Sequence, residues 1–212
     1  MIRLEKSPIP AWLKENQEAL TANFVAAPAN AKPAPWRAAA VVDALRAECM
    51  GKCMYCEGRI DDVSYSAVEH IRPKGVFPEL VLDWDNLGLV CPRCNTNKRD
   101  YWTLNAELQL LDPYVDDVDV HLQFYGGLVT AELGSQRGAN TVRKFKFNTR
   151  SELVMAKILA IEGVHARIER WHTETEPELK ELFADDLREA IAPRHEFSAT
   201  LKAYAASKGF SP

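Results

Sequence analysis

Two Cys-x-x-Cys pairs, Cys53/Cys56 and Cys91/Cys94, constrain this chain more than any other feature. Two thiolates on one tight knuckle can reach a single tetrahedral ion, and two such knuckles close a structural zinc site. The 34 residues between the knuckles (57–90) exceed a minimal ribbon, so a subdomain must sit between them. An ion closed by four sulfurs has no open position for chemistry. Its task is to join the ends of a segment too short to build its own core. Met1-Ile2-Arg3-Leu4-Glu5-Lys6 does not read as a signal peptide, and no run approaches a membrane span. The expected setting is the reducing cytoplasm, where paired cysteines point to metal and not to disulfides. Cys49 is left over and reads as a small, half-buried helix residue.

Around this frame the chain divides into three expected parts. Residues 1–35 hold a short helix beginning near Pro10, then a connector, Ala27 to Pro35, that its prolines keep out of helix. Residues 36–112 hold a helix from Trp36 to about Met50, ended by Gly51, and then short strands and knuckles, with a helix over Pro92–Lys98. Residues 113–212 open at the Asp112-Pro113-Tyr114 break. A β-hairpin follows over His121–Thr130, turning at Gly126-Gly127, and the rest is helical. There Thr149 and Glu152 match a capping box, and Val154, Ile158, Ile161 and Ile168 form one stripe. Glu174–Glu189 carries seven carboxylates against Lys180 and Arg188 and reads as a solvated helix face.

The chemistry lies between the knuckles. Glu69 and His70 are adjacent in a β-favouring context, where neighbouring side chains point to opposite faces. Both can serve one site only at a strand end, which Arg72-Pro73 supplies. Asn86 follows within Trp84-Asp85-Asn86-Leu87, and Asn95 comes directly after the fourth cysteine, with Lys98 three residues on. A lone Glu-His is usually a surface pair and a lone lysine is usually solvated. In this order, inside a double Cys-x-x-Cys frame, they are harder to dismiss.

That order resembles the zinc-bearing HNH endonucleases. The resemblance implies an α+β fold: a ββα-metal, treble-clef-like core stapled by a four-cysteine zinc, set in a mostly α-helical scaffold with one hairpin. It implies that Glu69 and Asn95 bind one catalytic divalent ion, Mg²⁺ or Mn²⁺. His70 would be the general base, and Asn86 would tie down the loop between the strands and help orient it. Glu69 stands where aspartate is often found, one methylene longer, which loosens the metal preference. Arg72, Lys74, Arg93, Lys98 and Arg99 flank the motif and are candidate phosphate contacts. A non-catalytic zinc-stapled binding module is the alternative from another class, and it would need none of Glu69, His70 and Asn95.

A narrower resemblance extends further. Val68-Glu69-His70-Ile71-Arg72-Pro73-Lys74, Phe77-Pro78-Glu79-Leu80, Asp83 to Leu87, the distal Leu111-Asp112-Pro113 and Asn140-Thr141-Val142 are similar to the PtuB-type HNH effectors. That family implies phage defence beside an ABC-type ATPase; restriction, homing and repair HNH enzymes are the runners-up. No phosphate loop occurs, so this chain is not the ATPase. The net charge of −4 is low for a protein that grips nucleic acid, DNA being the expected substrate. Lys52–Asp100 holds seven basic and eight acidic residues. Part of the grip would then come from the partner, or from Arg137, Arg143, Lys144, Lys146 and Arg150, a basic segment without an acid. His121, His165, His172 and His195 read as surface or packing residues.

Overall fold

The computed structural model describes residues 1–60 and 66–211; the strand-and-knuckle expectation for residues 61–65 lies outside the described residues. Helix α1 spans Ala11–Ala26, longer than the short helix expected, because no proline or glycine interrupts it before Pro28. The connector contains two 3-10 turns, Ala29–Ala31 and Pro35–Arg37. Trp36 lies in the second turn, and Ala38 is extended at ψ 137, so α2 begins three residues later than expected, at Ala39, and runs to Glu48. Met50 and Gly51 then both take left-handed backbone, at φ 53 and 71. Glycine accepts this without strain, and the reversal delivers the chain to the first knuckle.

Strands β1 (Ala67–His70) and β2 (Leu87–Val90) pair antiparallel, with Glu69 opposite Gly88 and His70 opposite Leu87. Helix α3 (Pro92–Lys98) follows with Pro92 in its first turn, where a missing N–H costs nothing. This is the ββα unit expected. The hairpin is β3 (Leu122–Tyr125) and β4 (Leu128–Ala131), turning at Gly126, φ 53. Helices α4 (Gln136–Phe145), α5 (Ser151–Thr173), α6 (Pro177–Ala190) and α7 (Ser198–Ser207) complete the fold.

Two helix details differ from expectation. The residue capping α5 is Arg150, with no side-chain cap, so Thr149 and Glu152 form no capping box. The Arg150 guanidinium instead reaches Cys94 Sγ. The buried stripe of α5 is Leu153, Lys157, Ile161, Val164 and Ile168. Val154 and Ile158 lie beside it, under the hairpin turn at Gly127.

One apolar core runs from Met1 and Leu4 through α1, α2, both knuckles and β2 to Phe145 and Phe147; a smaller one joins α5, α6 and α7. Cys49 belongs to the main core, more deeply buried than expected. The first knuckle is tied to later elements on two sides. Tyr55 stacks on Phe145 at 4.1 Å between ring centroids. Lys52 donates to the carbonyls of Pro193 and His195, and the Ser198 hydroxyl donates to Glu57 Oε2 at 2.6 Å. Among the described residues no helix is long and apolar enough to cross a membrane.

Candidate active site

The four cysteine sulfurs all lie within 4.8 Å of one another. Tetrahedral Zn–S bonds of about 2.3 Å place sulfurs about 3.8 Å apart, and Cys56 Sγ and Cys91 Sγ are separated by 3.8 Å. The Cys94 N–H donates to Cys91 Sγ, and Arg150 Nη1 donates to Cys94 Sγ, each at 3.4 Å. The cluster thus has the spacing and donor chemistry for zinc, with a guanidinium beside it to offset thiolate charge. Because Cys91 caps α3 and Cys94 lies in its first turn, the frame fixes that helix against the first knuckle.

His70 ends β1, the strand end required for it to share a site with Glu69. Both line a cleft of about 600 Å³ together with Trp36, Lys74, Asn95, Arg99 and Asp100. His70 is buried, with Trp36 edge-on at 4.9 Å between ring centroids. Its Nε2 lies 3.0 Å from the Val81 carbonyl oxygen. A carbonyl only accepts, so Nε2 carries the proton and Nδ1 keeps the free lone pair. Burial, followed by the charges of Lys74 and Lys98, lowers the histidine to about 4 against the opposing bond to Val81. It is neutral at pH 7.

Asn86 fixes the loop that carries this arrangement. Its Oδ1 accepts from the Arg72 N–H at 2.7 Å, and its Nδ2 donates to the carbonyls of Arg72 and Leu80 at 3.1 and 3.0 Å. The segment after His70 and the segment bearing Val81 are therefore held by one side chain. Glu69 is also buried. Burial raises its carboxyl while Lys98 and Lys74 oppose the rise. Lys98 Nζ lies 2.5 Å from Glu69 Oε1 and donates to the His70 carbonyl at 2.8 Å. The carboxylate is thus held by a buried ion pair with Lys98.

The candidate cations are not equivalent. Lys74 and Arg99 line the cleft, and Arg99 holds the glycine-like backbone φ 50, ψ −133. Arg72 places its guanidinium 5.4 Å from the Trp102 ring centre. Arg93 is exposed in the first turn of α3 and does not line the cleft, whereas Lys98 is buried on Glu69. In the distal basic segment, Arg137 is held by Asp116 through two bonds of 2.6 and 2.7 Å, Arg143 by Asn140 and Arg150 by Cys94. Lys144 lies 4.7 Å above the Tyr101 ring, and Lys146 is exposed.

Sequence reasoning missed Trp36, the Val81 carbonyl and the Tyr101–Lys144 pair. Only the aromatic residues near the motif, Trp36 and Tyr101, offered any signal. His121 bonds Ser135, His165 bonds Tyr204 and His195 bonds Glu189, and none of them lines the cleft.

Residues 53–100 match the family model described as HNH endonuclease. The chain is 29% identical to the Septu protein PtuB of Bacillus thuringiensis over 160 residues, 75% of this chain and 59% of that protein. It is 31% identical to the Septu protein PtuB of Bacillus mycoides over 129 residues, 47% of this chain and 44% of that protein. It thus spans about half the length of the curated relatives it matches.

Proposed function

We propose that this chain, whose residues 53–100 form an HNH endonuclease domain of PtuB type, is a metal-dependent nuclease that hydrolyses DNA phosphodiesters with little sequence preference. Its setting would be an anti-phage system in which an ABC-type ATPase is the partner. The single observation that carries the chemistry is the bond from His70 Nε2–H to Val81, which leaves Nδ1 free as a base in the cleft shared with Glu69 and Asn95.

The nucleophile must be generated in place, because an anionic phosphodiester repels hydroxide. Nδ1 of His70 takes a proton from water as that water attacks phosphorus, the bond to the 3′-oxygen breaks, and that oxygen takes a proton from solvent, which gives 5′-phosphate and 3′-hydroxyl ends. Glu69 and Asn95 would supply oxygen donors suited to Mg²⁺ or Mn²⁺, the ion sharing with Lys98 the carboxylate that Lys98 holds here. When bound, that ion would offset charge on the phosphate and the departing oxygen. Asn86 keeps the imidazole in its tautomer by holding the loop that presents Val81. Lys74 and Arg99 position the phosphate.

The partner reading is supported by the names of the relatives and by the net charge of −4. The test is nicking of supercoiled plasmid with Mg²⁺ or Mn²⁺, by the chain alone and with any ATPase that co-purifies. His70→Ala should abolish nicking at unchanged zinc content; full activity in that variant would sink the proposal. One observation favours the non-catalytic alternative, namely that Lys98 already places a cation beside Glu69. Calorimetric titration with Mn²⁺ separates the two readings. A catalytic site binds one ion beyond the zinc and loses it in Glu69→Ala.

A further inference from the structure

Arg72, Lys74, Arg99 and Lys144 have no ion pair and no side-chain hydrogen bond among the described residues. Three of them lie over aromatic faces instead. Arg72 is above Trp102 at 5.4 Å, Lys74 above Trp36 at 5.2 Å and Lys144 above Tyr101 at 4.7 Å. A ring face attracts a cation by about 0.5–1 kcal/mol at an exposed site. It holds the side chain in place and leaves the charge uncancelled. Several other cations are paired with carboxylates, Arg137 with Asp116, Arg167 with Asp186 and Arg188 with Glu181 and Asp185, while Arg170, Lys180 and Lys208 lie over rings without lining the cleft.

The uncommitted cations are also contiguous. Lys74 and Arg99 line the cleft, and Tyr101 stands two residues beyond Arg99. Tyr101 is anchored to α4 through Asn140, which donates to its hydroxyl at 2.8 Å, and Lys144 comes from the last turn of that helix. Lys144 is lowered by partial burial first, and then by the charges of Arg99 and Lys98. Like charges therefore gather at the end of α3; Lys98 is paired with Glu69, whereas Arg99 and Lys144 have no carboxylate partner among the described residues, and Asp100 stands exposed on the cleft side. Such a cluster is unfavourable in the free protein, and an anion placed across it relieves the repulsion.

We infer that these cations without carboxylate partners form a phosphate-binding rim that leaves the cleft at Arg99 and continues over Tyr101 to Lys144 on α4, outside the HNH segment, and that its ligand is the backbone of the nucleic-acid strand being cut. The inference rests on the nuclease reading for what occupies the cleft. It explains how an acidic chain can hold a polyanion. Much of the acidic excess lies on α6, and Lys74 and Lys144 are positioned by rings, so neither needs a carboxylate to hold it. It also separates Lys144 from Arg137, Arg143 and Arg150, which the same basic segment commits to structural contacts.

The test is fluorescence anisotropy of a labelled short duplex, and of its single strand, across a salt series in a His70→Ala background. Lys144→Gln should weaken binding about 3- to 10-fold and flatten the duplex salt slope by about 0.9, as expected for one lost phosphate contact. Lys144→Arg should restore both. Tyr101→Leu should weaken binding less, because the charge remains while its position is lost. Lys180→Gln on α6 removes the same net charge far from any cleft residue in sequence and should leave affinity unchanged. Zinc content and a cooperative thermal transition confirm that each variant is folded. The inference is overturned if Lys144→Gln keeps wild-type affinity and slope, if Lys180→Gln loses as much, or if the parent binds neither probe at low salt. Binding that follows these expectations while the chain with native His70 cuts nothing would instead remove the nuclease reading and leave the rim.

Discussion

Lys98 joins two functions in one ammonium group. It faces the buried Glu69 carboxylate at 2.5 Å and holds the His70 carbonyl at 2.8 Å. Removing one member of a buried pair leaves the other charge uncompensated, typically at a cost of about 3–5 kcal/mol. Lys98→Met is therefore expected to lower stability by that order in urea titrations without divalent metal. Mn²⁺ should recover more of the loss than it adds to wild type, since a second cation can then take over Glu69; no loss at all would show that the pair is not buried in solution. His70 gives a pH prediction at the same scale. Its folded value of about 4 lies below the ordinary 6.5, so the imidazole stays neutral, and stays a base, until pH falls toward 4. The acid limb of kcat/KM should lie near pH 4–5 under metal saturation, and a limb centred at 6.5 would contradict the buried placement. The stability sign agrees. Between pH 6.5 and 4 the unfolded chain binds the proton and the folded chain does not, so this residue weakens the fold as pH falls through that window.

The loop joining β1 to β2 acts as a single device because Asn86 closes it with three bonds. Asn86→Ala strands the Arg72 N–H and the Arg72 carbonyl, while the Leu80 carbonyl keeps the Asp83 N–H, at about 1–3 kcal/mol for each buried group left unpaired. Denaturation should show a loss of about 2–6 kcal/mol for the two groups, and nicking should fall further than stability explains, as Val81 no longer holds the His70 tautomer. Asn86→Asp, which keeps the acceptor and loses both donors, should fall between. Activity tracking folded fraction alone would reduce Asn86 to a structural role. Elements of this kind were legible in the sequence where spacing alone defines them. The Cys-x-x-Cys knuckles, the strand ending at His70, α3 and the Gly126 turn all follow from local pattern. What was not legible depends on groups distant in the chain or on a rule being broken. Lys157 is buried in the α5 stripe, a position that apolar periodicity assigns elsewhere, and this displaced the first two members of the expected stripe by one residue, while Ile161 and Ile168 lie on it as expected. The Val81 carbonyl has no sequence signature. The inward turn of Lys98 could not be told from solvation, because Glu69 lies 29 residues away from it in the chain.

At the scale of the whole molecule, the four-cysteine frame is a point where separate parts of the fold converge. The first knuckle is stacked on α4 through Tyr55 and Phe145 and bound to the residues around the start of α7 through Lys52 and Glu57. The second knuckle opens α3 and carries the Arg150 contact at the start of α5. Removing the metal would leave four close thiols with no ion to hold them together. Among the described residues the smaller core of α5, α6 and α7 has nine buried apolar residues, few for an independent unit, and the first half of α5 packs on the main core through Leu153. Chelation with a zinc-selective agent should therefore abolish near-ultraviolet and far-ultraviolet dichroism in one concerted step, with all five cysteines becoming reactive to a thiol probe together, Cys49 included. Cys49 is informative because it is buried in the main core and is no zinc ligand. If it stayed protected while the four ligands reacted, the frame would be a local clip. If it reacted with them, the frame is what holds the core closed, and the cleft holding His70, Glu69 and Asn95 depends on a metal ion that takes no part in the chemistry.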